Sequence, residues 1–451
     1  MAFIIVILIG LLIWAVLSSK MDALSKSVIY IYIGFWGIVL FFSSLNLLHF
    51  NTIQHRTYYM LLLHLFAFVI GYILVKIPKS HALVGVKSDY LGKQVEHLVN
   101  SKWYRILLII LTLYALSLFT IYFQKIMIYN SLADLRAEYY DGSDMYGASY
   151  RVLNQWLLKP FSIFATPLFA YLCFTRRDKY CWILGLFLLV YNTLSAGRFG
   201  YVKIAIGFLY VIVCLVPSLK KNFRNWLTTA LVFGGIFFLI MITTVARLDS
   251  IGSASSMTET GKEIMGENAL LSITQPVSGL DYALDHNYLK RVGGYNWGGM
   301  TLTSIQRFVN PFFRKLGMGF EVSASKLTFK QEEYIDIGYT RNQNALYTSV
   351  LWYFLDFGWL GVFLFPFLFG IGVRKVIKLL YKYQTVVLAI LLGFFFQLML
   401  FSVFDYYITG EADLLFVLLL WLTGTATSTK SQRFYIPIII YCAFALIFTQ
   451  L

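Results

Sequence analysis

"SVIYIYIGFWGIVLFFSSLNLL" (residues 27–48) runs for 22 residues without a charge. A helix of roughly 20 apolar residues crosses the ~30 Å hydrocarbon core of a bilayer. The stretch therefore reads as a transmembrane helix. Its neighbours read the same way, so the spacing predicts about twelve spans. They fall at 2–18, 27–48, 57–75, 106–123, 157–174, 181–196, 199–217, 226–245, 358–373, 384–404, 412–427 and 434–450. Hydrophobic residues make up 59% of the 451 and charged residues only 13%. A soluble domain carries about 25% charged residues. A β-barrel would instead show ~10-residue alternating segments. The expected fold class is an all-α polytopic membrane protein, with residues 1–451 as one integral membrane domain. The first span lacks the basic start and small-residue cleavage site of a signal peptide.

The net charge of +15 follows the same pattern. Segments 18–26, 76–105, 175–180, 218–225, 374–383 and 428–433 hold 20 of the 37 Lys and Arg. They hold only four of the 22 acids: Asp22, Asp89, Glu96 and Asp178. Positive loops stay on the cytoplasmic side. The basic charge is thus a topology signal and not a nucleic-acid footprint, and both termini are expected outside. Cys173, Cys181, Cys214 and Cys442 sit in spans or at their cytoplasmic edges, with no zinc-like Cys/His spacing. The cytoplasmic loops carry no phosphate-binding glycine loop.

Two segments on the other side are too long to be turns: 124–156, and 247–355. Long loops on a rigid scaffold concentrate function. The larger one is expected to fold as a cap on the bundle. Within it, "VGGYNWGGMTLTSIQRFVNPFFRKLG" (292–317) suits amphipathic helices resting on the outer interface.

Charged residues at outer span ends are the chemical handles. Arg198 lies in "LSAGRFGYVK", Arg247 in "TTVARLDS", and Arg341 just before the ninth span. Each alone reads as a snorkelling or turn-capping arginine. Together they would converge on one anion, because a guanidinium matches phosphate oxygens bidentately. Arg136 and Arg151 flank the tyrosine-rich "EYYDGSDMYGASY", which reads as a sugar-stacking surface or as interface anchors. Asp281, Asp285 and His286 in "SGLDYALDHNYL" read as a solvated helix face or an acid/base cluster. Glu332, Glu333 and Asp336 read as salt-bridge partners of Lys326 or Lys330. In "GYTRNQNALYTSVLWYFLDFGWLG" (338–361), a helix would align Arg341, Asn344 and Thr348 on one side. Trp352 and Tyr353 then suggest an interfacial helix. Asp356 reads as a cap on the following span, with Gly358 and Gly361 permitting a bend.

"SAGRFG", then "GGMTLTSIQRFVNPFFRKLG", "NALYTSVLWYFLDFGWLG" and "GIGVRKV" resemble the oligosaccharide repeat-unit polymerases of the Wzy family. The run from Asn344 through Thr348 into "DFGWLG" is the most specific part. The motifs cover about 60 residues, and the span pattern most of the chain. The resemblance implies a multi-pass protein of the bacterial cytoplasmic membrane with its active site facing the periplasm. It implies the ligase/polymerase variant of the glycosyltransferase C fold. The substrates would be undecaprenyl-diphosphate-linked oligosaccharides, with no metal, nucleotide or other cofactor, and a chain-length co-polymerase as partner. Arg198, Arg247 and Arg341 would hold the diphosphate. Gln343, Asn344, Thr348, Arg136, Arg151 and Arg307 would meet the acceptor sugar. The base is one of Asp249, Asp336, Glu333 or His286, and the sequence does not choose. Related O-antigen ligases carry His-Asn where this chain has Gln343-Asn344. Glutamine takes no proton at neutral pH, so this departure favours a polymerase over a ligase. A flippase, the reading from another class, would not concentrate its polar mass on one face.

Overall fold

A computed structural model describes residues 2–78, 88–129, 146–147, 150, 153–176, 178–194, 199–215, 230–236, 238–239, 269–327, 334–338, 343–344, 347–405, 413 and 415–420. The apolar runs are helices: α1 (Ala2–Ser18), α2 (Ala23–Leu45) and α3 (His55–Leu74). After α4 (Ser88–Asn100) come α5 (Lys102–Tyr129), α6 (Lys159–Thr175), α7 (Lys179–Thr193) and α8 (Phe199–Tyr210). π-helical turns precede α6 at Asn154–Leu158 and follow α8 at Val211–Leu215. Five helical stretches are long and apolar enough to cross a membrane, which is consistent with a polytopic membrane protein. They begin at Ala23, His55, Lys102, Asn154 and Trp359. Among the other expected spans, 434–450 lies outside the described residues, and 226–245 and 412–427 are described only in part. Loop 76–105 departs from expectation, because it holds the amphipathic helix α4.

Between α8 and the last spans lie α9 (Ala269–Asp285), α10 (Tyr288–Arg291) and α11 (Thr303–Lys315), then a 3₁₀ turn at Ser323–Leu327. Strands β1 (Tyr334–Ile335) and β2 (Gln343–Asn344) pair antiparallel. Then come α12 (Ser349–Phe357), α13 (Trp359–Tyr383) and α14 (Val386–Phe401). Gly358 separates α12 from α13 with φ of +60°, a conformation that costs glycine little. The tightest packing joins α3 to α13. A methyl group at Gly71 would lie 2.0 Å from the Phe367 carbonyl oxygen, and one at Gly370 2.3 Å from that of Phe68. Small residues that let backbones meet are the usual cement of membrane helices.

Long-range hydrogen bonds sort the connections onto two faces. On one, Asp22 receives Arg374 and Tyr381, and Arg374 also donates to the Val75 carbonyl. On that face too, Gln94 of α4 joins Gln384 and Val386, and Arg176 donates to Asn100. On the other face, Asn51 N donates to Ile337 O and Tyr146 to Leu194 O. Ser349 N donates to Ser402 O, and the Trp352 indole to Asp405. Among the described residues, the connections these bonds join lie on the faces that alternating threading assigns to them. The first face is the one rich in Lys and Arg.

The cap reverses the usual helix polarity. In α11 the buried residues are Thr303, Ser304 and Asn310. Two of them are bonded within this region: Thr303 Oγ1 donates to Gly299 O, and Asn310 Oδ1 accepts from Phe320 N. Ile305, Phe312, Phe313 and Leu316 stand exposed. The expected amphipathic helix is there, with its apolar face outward.

Two acids tie this region together, one to α12 and one to α3. Asp356, fully buried on α12, accepts from Met300 N and Thr301 N, both at 2.8 Å. It therefore does not cap the following span, whose N-cap is Gly358. It serves instead the turn leading into α11, 55 residues upstream. Asp281 on α9 accepts from Gln54 N and Thr57 Oγ1 at the start of α3. It satisfies donors of a helix N-terminus whose own N-cap, Gln54, makes no side-chain cap bond. Tyr288 and Tyr347 close the seam, hydroxyl to hydroxyl at 2.8 Å.

Candidate functional site

Arg136, Arg151, Arg198, Arg247, Arg341, Asp249 and Glu333 lie outside the described residues. The others are placed on the cap face. His286 follows α9, exposed, with its Nδ1 2.9 Å from Tyr282 O and its ring stacked on Tyr282 at 3.7 Å. That leaves Nε2 to face solvent. Asp336 is exposed and accepts from Gly338 N, two residues on, in a local turn. It does not bridge to Lys326, which donates to Asn296. Arg307 is exposed on α11. No hydrogen bond or ion pair joins His286, Asp336 and Arg307, so these three do not form one constellation.

The 338–361 stretch is corrected in three places. Residues 343–344 are a strand and α12 begins only at Ser349, so no helix aligns Arg341, Asn344 and Thr348. Pairing with Tyr334 and Ile335 holds the backbone extended there. Thr348, the N-cap of α12, is fully buried and unavailable to a sugar. Trp352 and Tyr353 are each 6% exposed and belong to the core, not to an interface.

Asp281 departs from its solvated reading, being 7% exposed. Burial raises its carboxyl above the usual value, while hydrogen bonds from Thr57 and Gln54 pull the other way. A raised value means that the folded chain holds this proton more tightly than the unfolded chain. The stability contributed is full below the ordinary carboxylate value and is lost as pH rises through the raised one. Asp281→Asn should therefore flatten the fall in melting temperature from about pH 4 upward. A variant whose slope equals that of wild type would show that this carboxyl does not govern it.

Two polar groupings escaped the sequence reading. The first is a charge cluster at the heads of α6 and α8. Lys159 Nζ lies 2.6 Å from Asp413 Oδ2, and the Asp413 side chain is only 2% exposed. Lys203 lies within electrostatic reach of both, with its Nζ 5.9 Å from the centre of the Phe401 ring. The two lysines stand singly in apolar runs, and Asp413 is 254 residues from Lys159, so no local motif announces them. Lys203 does sit in "SAGRFGYVK", five positions after Arg198. The second grouping surrounds His64 in the middle of α3. Its Nε2 meets Tyr32 OH at 2.8 Å, its ring stacks near Tyr353, and Trp36 beside it donates to Ser402. An ionisable residue inside a span is costly and marks a place where polarity is wanted. A lone histidine in an apolar run was the available signal.

Chemically, Lys159, Lys203 and Asp413 place fixed charge of both signs where the spans meet the cap face. Asp413 is buried, Lys159 and Lys203 are partly exposed, and cations fixed in this way stabilise developing negative charge. Among the described residues, no group of three or more His, Cys, Asp or Glu could hold a metal ion. The comparisons leave this geometry to speak alone. No family model, curated protein or solved structure matches the chain.

Proposed function

We propose that the protein is a membrane glycosyltransferase. It would move a glycan chain from an undecaprenyl-diphosphate carrier to the next lipid-linked oligosaccharide repeat. The Lys159–Asp413–Lys203 cluster carries the reading, because it puts basic groups at the membrane edge on the same face as the folded cap. The resemblance to Wzy polymerases names the substrates, and the near-neutral charge outside the basic loops, 17 Lys and Arg against 18 acids, agrees with a periplasmic orientation. In the reaction, an acceptor hydroxyl attacks the anomeric carbon of the donor sugar. The bond from that carbon to the diphosphate oxygen breaks, and the diphosphate leaves with the electron pair. The hydroxyl proton passes to a base on the cap. Lys159 and Lys203, with the arginines expected beside them, stabilise the departing charge, and the anomeric configuration inverts.

The test is deletion of the gene, followed by gel analysis of surface polysaccharide. Loss of a polymerase leaves lipid capped with single repeats. Loss of a flippase leaves no caps, and loss of a ligase leaves long polymer on its carrier. In the complemented strain, Lys203→Met and Arg198→Ala should each lower polymer formation about a hundredfold. Wild-type polymer from both variants would refute the site.

A further inference from the structure

Between the head of α3, the α9–α10 turn and α12 lies a crevice of about 180 Å³. Met60, Leu351, Phe354 and Leu355 form its apolar wall, and Arg56 and Asn287 its polar rim. Trp359 lines it as well and is 47% exposed. Beside it, Tyr59 and Leu360 are exposed on α3 and α13. The apolar lining thus continues onto the outer surfaces of two helices long enough to span. Exposed apolar surface on such helices faces lipid, and Trp and Tyr gather at the depth of the headgroups. On the rim Arg56 is ion-paired to Asp285 and lies within electrostatic reach of Asp281, and Lys290 and Arg291 follow the lining residue Leu289.

We propose that this crevice binds one anionic phospholipid of the surrounding leaflet. An acyl chain lies along Met60, Leu351 and Phe354, and the phosphate is held by Arg56. The guanidinium would exchange Asp285 for phosphate oxygens. That exchange is easy, since both members of the pair are more than a third exposed and water weakens their attraction. A phosphate offers the same two-pronged geometry as a carboxylate with more charge. The chain removes apolar wall from water, the general driving force for filling such a site. The inference does not rest on the transfer reaction.

The test uses the full chain, purified in detergent, stripped of lipid, and titrated in native mass spectrometry. The lipids offered are phosphatidylglycerol, phosphatidylcholine and a polyprenyl monophosphate. One phosphatidylglycerol should bind per chain, about tenfold more tightly than phosphatidylcholine. Arg56→Gln should abolish that preference, and Arg56→Lys should keep part of it. Leu289→Trp, which fills the crevice from the cap side, should remove the bound lipid. Asp285→Asn frees Arg56 and should tighten binding, a gain that no misfolded variant would mimic. Equal binding of the two phospholipids would overturn the proposal, as would unchanged occupancy in Leu289→Trp. Tighter binding of the polyprenyl phosphate than of phosphatidylglycerol would overturn the assignment to a phospholipid.

Discussion

Asp356→Ala should detach the turn before α11 from α12. The carboxylate is fully buried and is an acceptor for Met300 N and Thr301 N. Removing it leaves two buried donors without that acceptor, at about 1–3 kcal/mol each. The adjoining bonds from Asn296 N to Leu355 O and from Trp297 N to Asp356 O depend on the same register. They should loosen with it. Asn at this position keeps one acceptor oxygen and turns an amide donor toward the other N–H, so it should restore little. The measurement is limited proteolysis of the membrane-reconstituted chain, with cleavage mapped to 296–302. Asp285→Asn, an exposed change on the same cap, is the control and should leave the pattern alone. Equal protection of the Asp356→Ala chain would remove the clamp from the fold.

The second large effect is expected on the opposite face. Asp22 and Arg374 pair at 3.2 Å with side chains 6% and 4% exposed. Burial opposes the charge on Asp22, yet hydrogen bonds from Ser25 and Tyr381 and the charge of Arg374 hold its carboxyl below the usual value. Asp22→Ala strands a buried guanidinium and should cost about 3–5 kcal/mol. Asp22→Ala with Arg374→Met removes both charges and should recover most of the loss, since a buried pair often adds little over apolar packing. Cys173, Cys181 and Cys214 are buried free thiols, so reaction with a thiol dye on heating reports unfolding directly. The pH dependence has a definite sign. The Asp22 contribution is full above the ordinary carboxylate value and is lost as pH falls through the lowered one. A double variant no more stable than Asp22→Ala would show that packing, not charge, makes this contact.

Much of the architecture was legible because one physical quantity dominates it. A run such as 27–48 cannot be placed in water, and its length matches the bilayer, so α2 follows from composition alone. Basic residues mark alternate loops, and the hydrogen bonds at Asp22, Gln94 and Arg176 gather those loops on one face. What stayed hidden depends on partners far along the chain. Asp356 looks like an ordinary cap until Met300 and Thr301 are beside it. Lys159 stands alone in its apolar run until Asp413, 254 residues on, is beside it. Asp281 looks solvated because its i,i+4 partner Asp285 is, yet the head of α3 engages both, burying Asp281 and leaving Asp285 partly exposed against Arg56 and Gln54. Helix α4 was missed because it is polar and lies outside the apolar runs. The extended backbone at 343–344 was missed because a helical register made Arg341, Asn344 and Thr348 look like one surface.

The clasp on Asp22 and Val75 also sets an order of events during synthesis. Arg374 lies 299 residues after the carbonyl it binds, and Ser402 lies 366 after Trp36. The first three helices therefore enter the bilayer long before their partners exist. At roughly 5–20 residues per second, α3 waits about 15–60 s for α13. During that interval its glycine seam and the Tyr353 side of His64 face lipid or a helper protein. Chains truncated before residue 374 should be cleared by membrane proteases, whatever enzymatic parts they already contain.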